Sequence, residues 1–325
     1  MKLTKSMKNK LTAVLAAGVL MTSMVGCSST NKEAELTDLT ITHVTSPLNV
    51  PSIIQKSNNV FADEFKANGK DINIKYADIT SGSDQTQALA SGDVDVLYAV
   101  GGTSVISAAA NGLDIKILNM YSRSPEAFCM YSHDASIKSA EDLRGKTIAG
   151  PTGTNLHQLL VAYLEKAGMT IDDVNFVNMK IPEARAALET KDIDVALLAG
   201  PTAYKAGKQG YNLVTNGKGL TDAVIAVAVT EKFYNEHKED LEIFKQAEAN
   251  IIKYINENHD ETMEIVAKEL GFDDTSAVED MFKQYDFSIE TTDADVKAFQ
   301  NVADFMLKTG MIENEVNVEN LFIKQ

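Results

Sequence analysis

Two segments of the chain repeat one pattern of residues at an offset of 99 positions. The first reads Ala88-Leu89-x-x-x-Asp93-Val94-Asp95-Val96-x-x-x-x-Gly101-x-Thr103, and the second reads Ala187-Leu188-x-x-x-Asp192-Ile193-Asp194-Val195-x-x-x-x-Gly200-x-Thr202. Each predicts the end of a helix, a polar turn, a buried strand and a glycine loop that opens another helix. A unit used twice predicts two similar α/β lobes around a ligand cleft, whereas the alternative is chance similarity between αβ units.

Alternating strand and helix patterns extend both copies of this unit, and amphipathic helices follow from Glu231 onward. The last of these helices is preceded by Thr292-Asp293-Ala294-Asp295, a capping-box pattern. We therefore predict an α/β fold of two doubly wound lobes, mostly parallel in strand direction, with a helical C-terminal extension. Two crossovers, near 121–127 and 220–226, would form a hinge.

The predicted organisation has four parts. A signal peptide occupies residues 1–26 and a polar tether occupies 27–37. Lobe 1 combines 38–122 with 231–325, and lobe 2 spans 123–230.

The N-terminal segment is typical of a secretory signal. Four lysines precede an apolar run at 11–25, which is too short for a membrane-spanning helix of about 20 residues. The run ends in Val25-Gly26-Cys27, followed by polar residues, and resembles a bacterial lipoprotein processing site. That resemblance implies cleavage before Cys27 and lipid attachment to its sulfur; the alternative is an ordinary signal peptide with an incidental cysteine.

Charge and cysteine content exclude several classes of function. The whole chain carries a net charge of −16, and the part after the signal is more acidic because four lysines are removed. An acidic surface disfavours nucleic acid as a partner. With Cys27 lipidated, Cys129 has no disulfide partner, and its apolar surroundings indicate a buried structural thiol.

Three loops rich in glycine, serine and threonine lie between a predicted strand and a predicted helix. Helix N-termini offer free backbone N–H groups, so several of them in one cleft would hold an anionic group. The alternative role for the hydroxyls is helix capping, which does not exclude ligand contact. The candidate residues are Ser81, Gly82 and Ser83; Gly101, Gly102 and Thr103; and Thr152, Gly153, Thr154 and Asn155.

Other chemistry-bearing residues show little organisation. Arg123 lies at the first crossover and is a candidate for binding an anion in the cleft, as is Arg185 at the start of a helix. The five histidines show no metal-ligand spacing, and no nucleophile elbow or paired acid–base carboxylates occur. We expect no catalytic residues, no metal and no cofactor.

The motif Glu141-Asp142-Leu143-Arg144-Gly145-Lys146-Thr147-Ile148-Ala149, followed by Thr152-Gly153-Thr154, resembles the signature of bacterial ABC-transporter substrate-binding proteins. The similar subgroup handles aliphatic sulfonates, taurine and nitrate and includes binders of thiamine-pyrimidine precursors. The resemblance implies a bilobal periplasmic-binding-protein fold of type II. It also implies a membrane permease as partner, a small polar or anionic organic ligand, a monomer, and a lipid-anchored position on a Gram-positive surface or in a periplasm.

The resemblance adds ligand-loop residues to the list above, namely Ser46, Asn49, Gly200 and Pro201. Where many members carry an aromatic-Asp-Pro segment, this chain has Ala199-Gly200-Pro201, and it lacks tryptophan altogether. Both departures argue against a taurine-like ligand, whose ammonium favours a carboxylate or an aromatic cage. Two other functions stay open: a secreted enzyme acting on a small metabolite, and a surface interaction protein without a ligand.

Overall fold

A computed structural model describes residues 36–45 and 47–323. The first part of the described chain alternates strands and helices as the sequence predicts. The elements of this first series are β1 (Asp38–Thr42), α1 (Val50–Ser57), α2 (Val60–Ala67), β2 (Asn73–Ala77), α3 (Gly82–Ser91), β3 (Leu97–Gly101), α4 (Gly102–Ala110) and β4 (Ile115–Arg123). Helices α1 and α2 are separated at Asn58 and Asn59, where Asn59 has a φ of +53°.

A second series forms a five-stranded sheet in the order β7-β6-β8-β5-β9. Strands β6, β7 and β8 are parallel, whereas β5 runs antiparallel to both of its neighbours. The sheet is therefore mixed rather than wholly parallel. Its elements are β5 (Phe128–Ser132), β6 (Thr147–Gly150), α5 (Asn155–Lys166), β7 (Asn175–Asn178), α6 (Ile181–Thr190), β8 (Val195–Ala199), α7 (Gly200–Lys208) and β9 (Asn212–Asn216).

The remaining elements return to the first series. They are β10 (Val224–Thr230), α8 (Glu231–Glu236), α9 (Lys238–Glu257), α10 (His259–Glu269), α11 (Ser276–Phe282) and α12 (Asp293–Lys308). The capping box predicted before the last helix is present, since Thr292 and Asp295 bond each other's backbone N–H groups. None of the helices in 36–323 combines the length and the apolar character that crossing a membrane requires.

Strand β10 corrects one predicted boundary. We assigned 224–230 to lobe 2, but β10 pairs antiparallel with β3 on one side and β4 on the other. Alternate residues of β10 belong to two different buried hydrophobic clusters, so both faces of the strand are covered. The chain therefore leaves the five-stranded sheet after β9, and the second crossover lies at 217–223.

The repeated sequence unit has one structural role in both copies. Asp95 Oδ2 accepts a hydrogen bond of 2.8 Å from the N–H of Thr40, and Asp194 Oδ2 accepts one of 2.8 Å from the N–H of Thr147. Each aspartate also donates its own N–H to the carbonyl of the same threonine. The repeat thus fixes the register between the buried strand and its parallel neighbour.

The C-terminal helices pack on the first series through a buried aromatic cluster. Phe61 of α2 stacks on Phe244 of α9 with ring centroids 4.2 Å apart, and Tyr98 of β3 lies edge-on to both rings. These three side chains are almost wholly buried. This packing holds α9 against α2 and β3.

Candidate ligand-binding site

A cavity of about 220 Å³ lies where the first series meets the five-stranded sheet. Five helices begin at its wall. The N-cap residue of each helix, which directly precedes the first turn, lines the cavity. The five N-cap residues are Asn49 of α1, Ser81 of α3, Gly101 of α4, Thr154 of α5 and Lys180 of α6.

Two of these helix N-termini leave their first backbone N–H groups available. In α4 and α5 no side chain of a described residue caps the first turn, and no acidic residue lies within it. In α1, by contrast, Pro51 has no N–H, and the N–H of Ser52 donates to Tyr121 Oη over 3.1 Å. Elsewhere in the described chain, α8 and α12 are capped by threonine and carry acids in the first turn. Uncapped N-termini carry partial positive charge, so the cavity favours an anion.

The side chains around the cavity have a charge balance opposite to that of the whole chain. Of the described residues that line it, none carries a carboxylate, although the protein has a net charge of −16. Lys180 is the one cationic side chain at this wall, and it forms no ion pair with any described residue. A free ammonium and helix N-termini together give this small space a positive potential.

Part of the wall is apolar. The apolar residues that line the cavity are Val44, Pro47, Ala99, Phe128, Leu156, Ile181, Pro182 and Ile225. Ala99 has a φ of +79° and sits where the pairing of β3 with β10 shifts register. The bulge turns the end of β3 toward the cavity. A ligand that fits these walls has an anionic group and an apolar portion.

One hydrogen bond connects the two halves of the cavity. Thr103 Oγ1, in the first turn of α4, donates to Asn155 Oδ1, in the first turn of α5, over 3.2 Å. Both residues are buried. The amide group of Asn155 therefore presents Nδ2 as a donor, since its oxygen is already occupied.

A second contact between the halves involves a glycine. A Cβ atom placed on Gly200 would lie 2.8 Å from both the backbone nitrogen of Leu48 and the Cα of Pro47. Gly200 also has a φ of +54°. Only glycine allows α7 to begin this close to the segment that precedes α1.

Seven of the residues predicted from the sequence line the cavity. They lie at the N-termini of α1, α3, α4 and α5. They are Asn49, Ser81, Gly82, Gly101, Thr103, Thr154 and Asn155.

The structure places most of the other predicted residues near the cavity but off its wall. Ser83 Oγ lies 2.8 Å from Ser81 Oγ on the exposed side of α3, and Gly102 faces Val224 and Phe299 in the core. Thr152 and Gly153 do not line the cavity, Gly200 approaches the backbone of 47–48, and Pro201 follows it in α7. Ser46 and Cys27 lie outside the described residues.

The expectation that Arg123 faces the cleft is wrong. Its guanidinium forms two hydrogen bonds of 2.7 Å with Asp295 and also donates to the carbonyls of Ser288 and Glu290. Burial raises the pKa of Asp295, but hydrogen bonds from Arg123 and Thr292 outweigh it and hold that pKa below its usual value. The pair borders a separate, more open cavity of about 940 Å³.

Arg185 does not reach the ligand cavity either. It is buried on α6, where it pairs with Glu189 over 2.8 Å and stacks on Tyr211 with 4.4 Å to the ring centroid. Neither arginine is therefore free to bind an anion. The sequence reasoning missed Lys180, although it has the same position between strand and helix as the loops that were selected.

Sequence comparison agrees with this geometry. The family described as NMT1/THI5 like matches residues 65–262, which is more than half of the chain. The chain belongs to the NMT1/THI5-like family. This result confirms the family resemblance seen in the sequence motifs.

Individual family relatives extend the match to most of the chain. A Bacillus subtilis (strain 168) protein assigned as an aliphatic sulfonates-binding protein is 27% identical over 311 residues, covering 92% of this chain and 90% of the relative. The taurine-binding periplasmic protein of Escherichia coli (strain K12) is 27% identical over 220 residues, covering 66% and 65%. These relatives of the family are named as binding proteins.

Solved structures confirm the fold. The alkanesulfonate-binding protein SsuA from Xanthomonas axonopodis pv. citri, bound to MOPS, superposes with a TM-score of 0.81 at 20% identity, covering 90% of this chain and 100% of the other. SsuA from Escherichia coli has a TM-score of 0.75 at 18% identity, covering 88% and 92%. The bilobal periplasmic-binding-protein fold predicted for this chain is therefore confirmed.

Proposed function

We propose that this protein is an extracytoplasmic solute-binding receptor that captures a small organic anion, of the sulfonate class, for an ABC importer. One observation carries the proposal: five helices begin at the wall of a single cavity that has no carboxylate among its described residues. Backbone N–H groups bind an oxyanion without the cost of burying a full countercharge. The names of the relatives support a sulfonate ligand.

The apolar part of the wall sets the second feature of the ligand. A carbon chain or ring beside Phe128, Leu156 and Ile225 would be removed from water when the lobes close. The ligand class is then an alkyl or aryl sulfonate rather than a bare inorganic anion. Closure about the two crossovers would bury the ligand, and the bond from Thr103 to Asn155 would form at that point.

The receptor role is favoured over an enzyme for a chemical reason. The described cavity wall offers hydroxyls, amides and one ammonium, but no carboxylate, histidine or thiol for general acid–base or nucleophilic work. An enzyme would convert the bound compound, whereas a receptor returns it unchanged. Recovery of the ligand from the protein and its mass measurement would separate these two roles.

The anchor at the membrane remains part of the proposal. We infer that Cys27 carries a lipid and that the polar residues up to position 37 tether the receptor to the surface. Cys27→Ser should release the protein from the membrane fraction of cells. If this variant fractionates with the membrane like the wild type, the lipid anchor is wrong.

The ligand class is tested with compounds of equal chain length that differ in the head group: an alkanesulfonate, an alkanecarboxylate and an alkylammonium. Thermal unfolding is the readout, since a ligand at 100 times its dissociation constant adds about 2.7 kcal/mol of stability. The sulfonate should stabilise the protein most and the ammonium should have no effect. Stabilisation by the ammonium alone would overturn the proposal.

Two lysine variants test the charge at the wall. Lys180→Met removes the cation of the cavity, and Lys297→Met removes an unpaired, exposed cation of α12. Both variants change the net charge equally. We expect Lys180→Met to weaken sulfonate binding about fivefold at low salt and Lys297→Met to leave it unchanged. Equal behaviour of the two variants would exclude a direct role for Lys180.

A further inference from the structure

Gln85 is the one amide among the described residues lining the cavity whose acceptor oxygen is buried without a partner. It lies on α3, lines the cavity and is only 2% exposed. Its Nε2 donates to the carbonyl of Ile79 over 3.0 Å. This bond fixes which way the amide points, because a flipped amide would put two oxygens against each other.

The oxygen of Gln85 has no hydrogen-bond partner among the described residues. Its Oε1 is buried, and a buried acceptor without a donor destabilises the folded protein. The neighbouring helix N-termini of α4 and α5 present uncapped N–H donors instead. The wall therefore combines a donor-rich anion site with a buried amide acceptor that no described residue satisfies.

The charge of the wall decides which donor suits this acceptor. Lys180 and the helix N-termini repel a cation, and the described wall has no carboxylate to compensate for one. A neutral hydroxyl or N–H group avoids this repulsion and still satisfies Oε1.

We propose that Gln85 is a specificity residue that selects organic anions carrying a neutral hydrogen-bond donor near the anionic group. This inference rests on the proposed binding of sulfonates. It predicts a preference within that class: a hydroxyalkanesulfonate binds more tightly than the unsubstituted alkanesulfonate, and both exceed the ammonium-bearing analogue.

Three sulfonates of nearly equal size test the proposal directly. They are ethanesulfonate, 2-hydroxyethanesulfonate and 2-aminoethanesulfonate, each measured by calorimetric titration of the full-length protein at one pH and one salt concentration. The corresponding propanesulfonates are one carbon longer, and they test the case in which Gln85 Oε1 lies farther from the bound sulfonate group. For the wild type we expect the hydroxyl compound to bind about tenfold more tightly than the unsubstituted one.

Variants of Gln85 assign that preference to its side chain. Gln85→Met keeps the side-chain volume and removes the acceptor oxygen. The dissociation constants of ethanesulfonate and 2-hydroxyethanesulfonate should then lie within about twofold of each other. Gln85→Glu keeps an acceptor and adds negative charge, so the ammonium compound should gain relative to the other two.

Gln55→Met is the matched control. Gln55 is equally buried, lies on α1 away from the cavity wall, and has an unpartnered Nε2 of its own. This variant should retain the wild-type preference for the hydroxyl compound.

The possible results distinguish the two proposals. If sulfonates bind but the wild type does not prefer the hydroxyl compound, the role of Gln85 is wrong and the receptor function stands. If Gln85→Met keeps the preference, another group supplies the acceptor and the inference fails. If no sulfonate binds, the proposed function itself is wrong.

Discussion

Thr103 donates a hydrogen bond to Asn155 across the cavity, and these two residues belong to helices that follow strands of different sheets. The bond is 3.2 Å long, and both side chains are buried. It therefore links the two halves of the protein at the place where the ligand is proposed to bind.

Thr103→Val should weaken ligand binding. The substitution keeps the shape of the side chain but leaves Asn155 Oδ1 without its donor, at a cost of about 1 kcal/mol in the closed form. We expect the dissociation constant to rise about fivefold in calorimetric titration with the best sulfonate of the panel.

Thr262→Val is the control for this change. Thr262 is also fully buried, but it lies on α10 and its hydroxyl has no partner among the described residues. Its removal should leave the dissociation constant unchanged. The same loss of binding in both variants would mean that Thr103 acts through stability alone.

Gly200→Ala should impair both stability and ligand binding. The new Cβ would meet the backbone of Pro47 and Leu48 at 2.8 Å, so α7 and the segment before α1 must separate. We expect the midpoint of thermal unfolding to fall and the dissociation constant to rise at least tenfold, because closure of the cavity requires that contact.

Gly210→Ala separates the clash from backbone strain. Gly210 has a φ of +84°, but a Cβ there meets nothing within 4 Å. This control should lose about 1 kcal/mol of unfolding free energy and keep its ligand affinity. If both variants lose affinity equally, the contact with Pro47 and Leu48 does not matter for binding.

His157 should make the binding loop sensitive to acid. Its Nδ1 accepts a hydrogen bond of 3.2 Å from the N–H of Gly153, so the ring must be neutral at that nitrogen. Burial lowers the pKa of His157 below its ordinary value of 6.5. The unfolded chain therefore takes up the proton first, and stability is lost as the pH falls below about 6.5.

His157→Gln removes this titration and keeps an acceptor for Gly153. Urea unfolding between pH 7.5 and 5 measures the difference in unfolding free energy between the wild type and the variant. We expect this difference to shrink or reverse toward acid pH. His259→Gln, on the partly exposed face of α10, is the control and should retain the wild-type loss. A constant gap across the range would show that His157 takes up its proton equally in the folded and unfolded states, against the prediction.

Glu248 should destabilise the protein as the pH rises. It is 1% exposed on α9, where Asn119 Nδ2 donates to its Oε1 over 3.2 Å while its Oε2 and Asn119 Oδ1 have no partner among the described residues. Burial raises the pKa of Glu248 from 4.5 to about 8. The folded state holds the proton more tightly, so stability is complete below about pH 4.5 and is lost as the pH rises through about 8.

Glu248→Gln should therefore be more stable than the wild type at pH 8.5, by about 3 kcal/mol, and closely similar at pH 5. Denaturant titration at both pH values measures the difference. Glu242→Gln, exposed on the same helix, should differ from the wild type by the same amount at both pH values. A gap between Glu248→Gln and the wild type that does not change with pH would refute the assignment.

Local sequence patterns were sufficient to predict the α/β elements. The capping box at Thr292 and the repeated aspartates at 95 and 194 act through neighbours close to them in the chain or in the adjacent strand, and both were recognised. The loops at 81–83, 101–103 and 152–155 were selected for the same reason, since strand-to-helix loops place N–H groups at a sheet edge.

Only the tertiary structure decided which side chains face the ligand. Its position in the sequence made Arg123 a candidate for binding an anion in the cleft. In the structure, its guanidinium donates instead to Asp295, which lies 172 residues later in the chain. Strand β10 enters between β3 and β4 because its buried faces match partners that are distant in the chain. The sequence by itself determined the α/β elements, the repeated unit and the helix N-termini, because these depend on short-range geometry. The cavity, its free Lys180 and the unpaired oxygen of Gln85 depend on long-range packing, which no local pattern specifies.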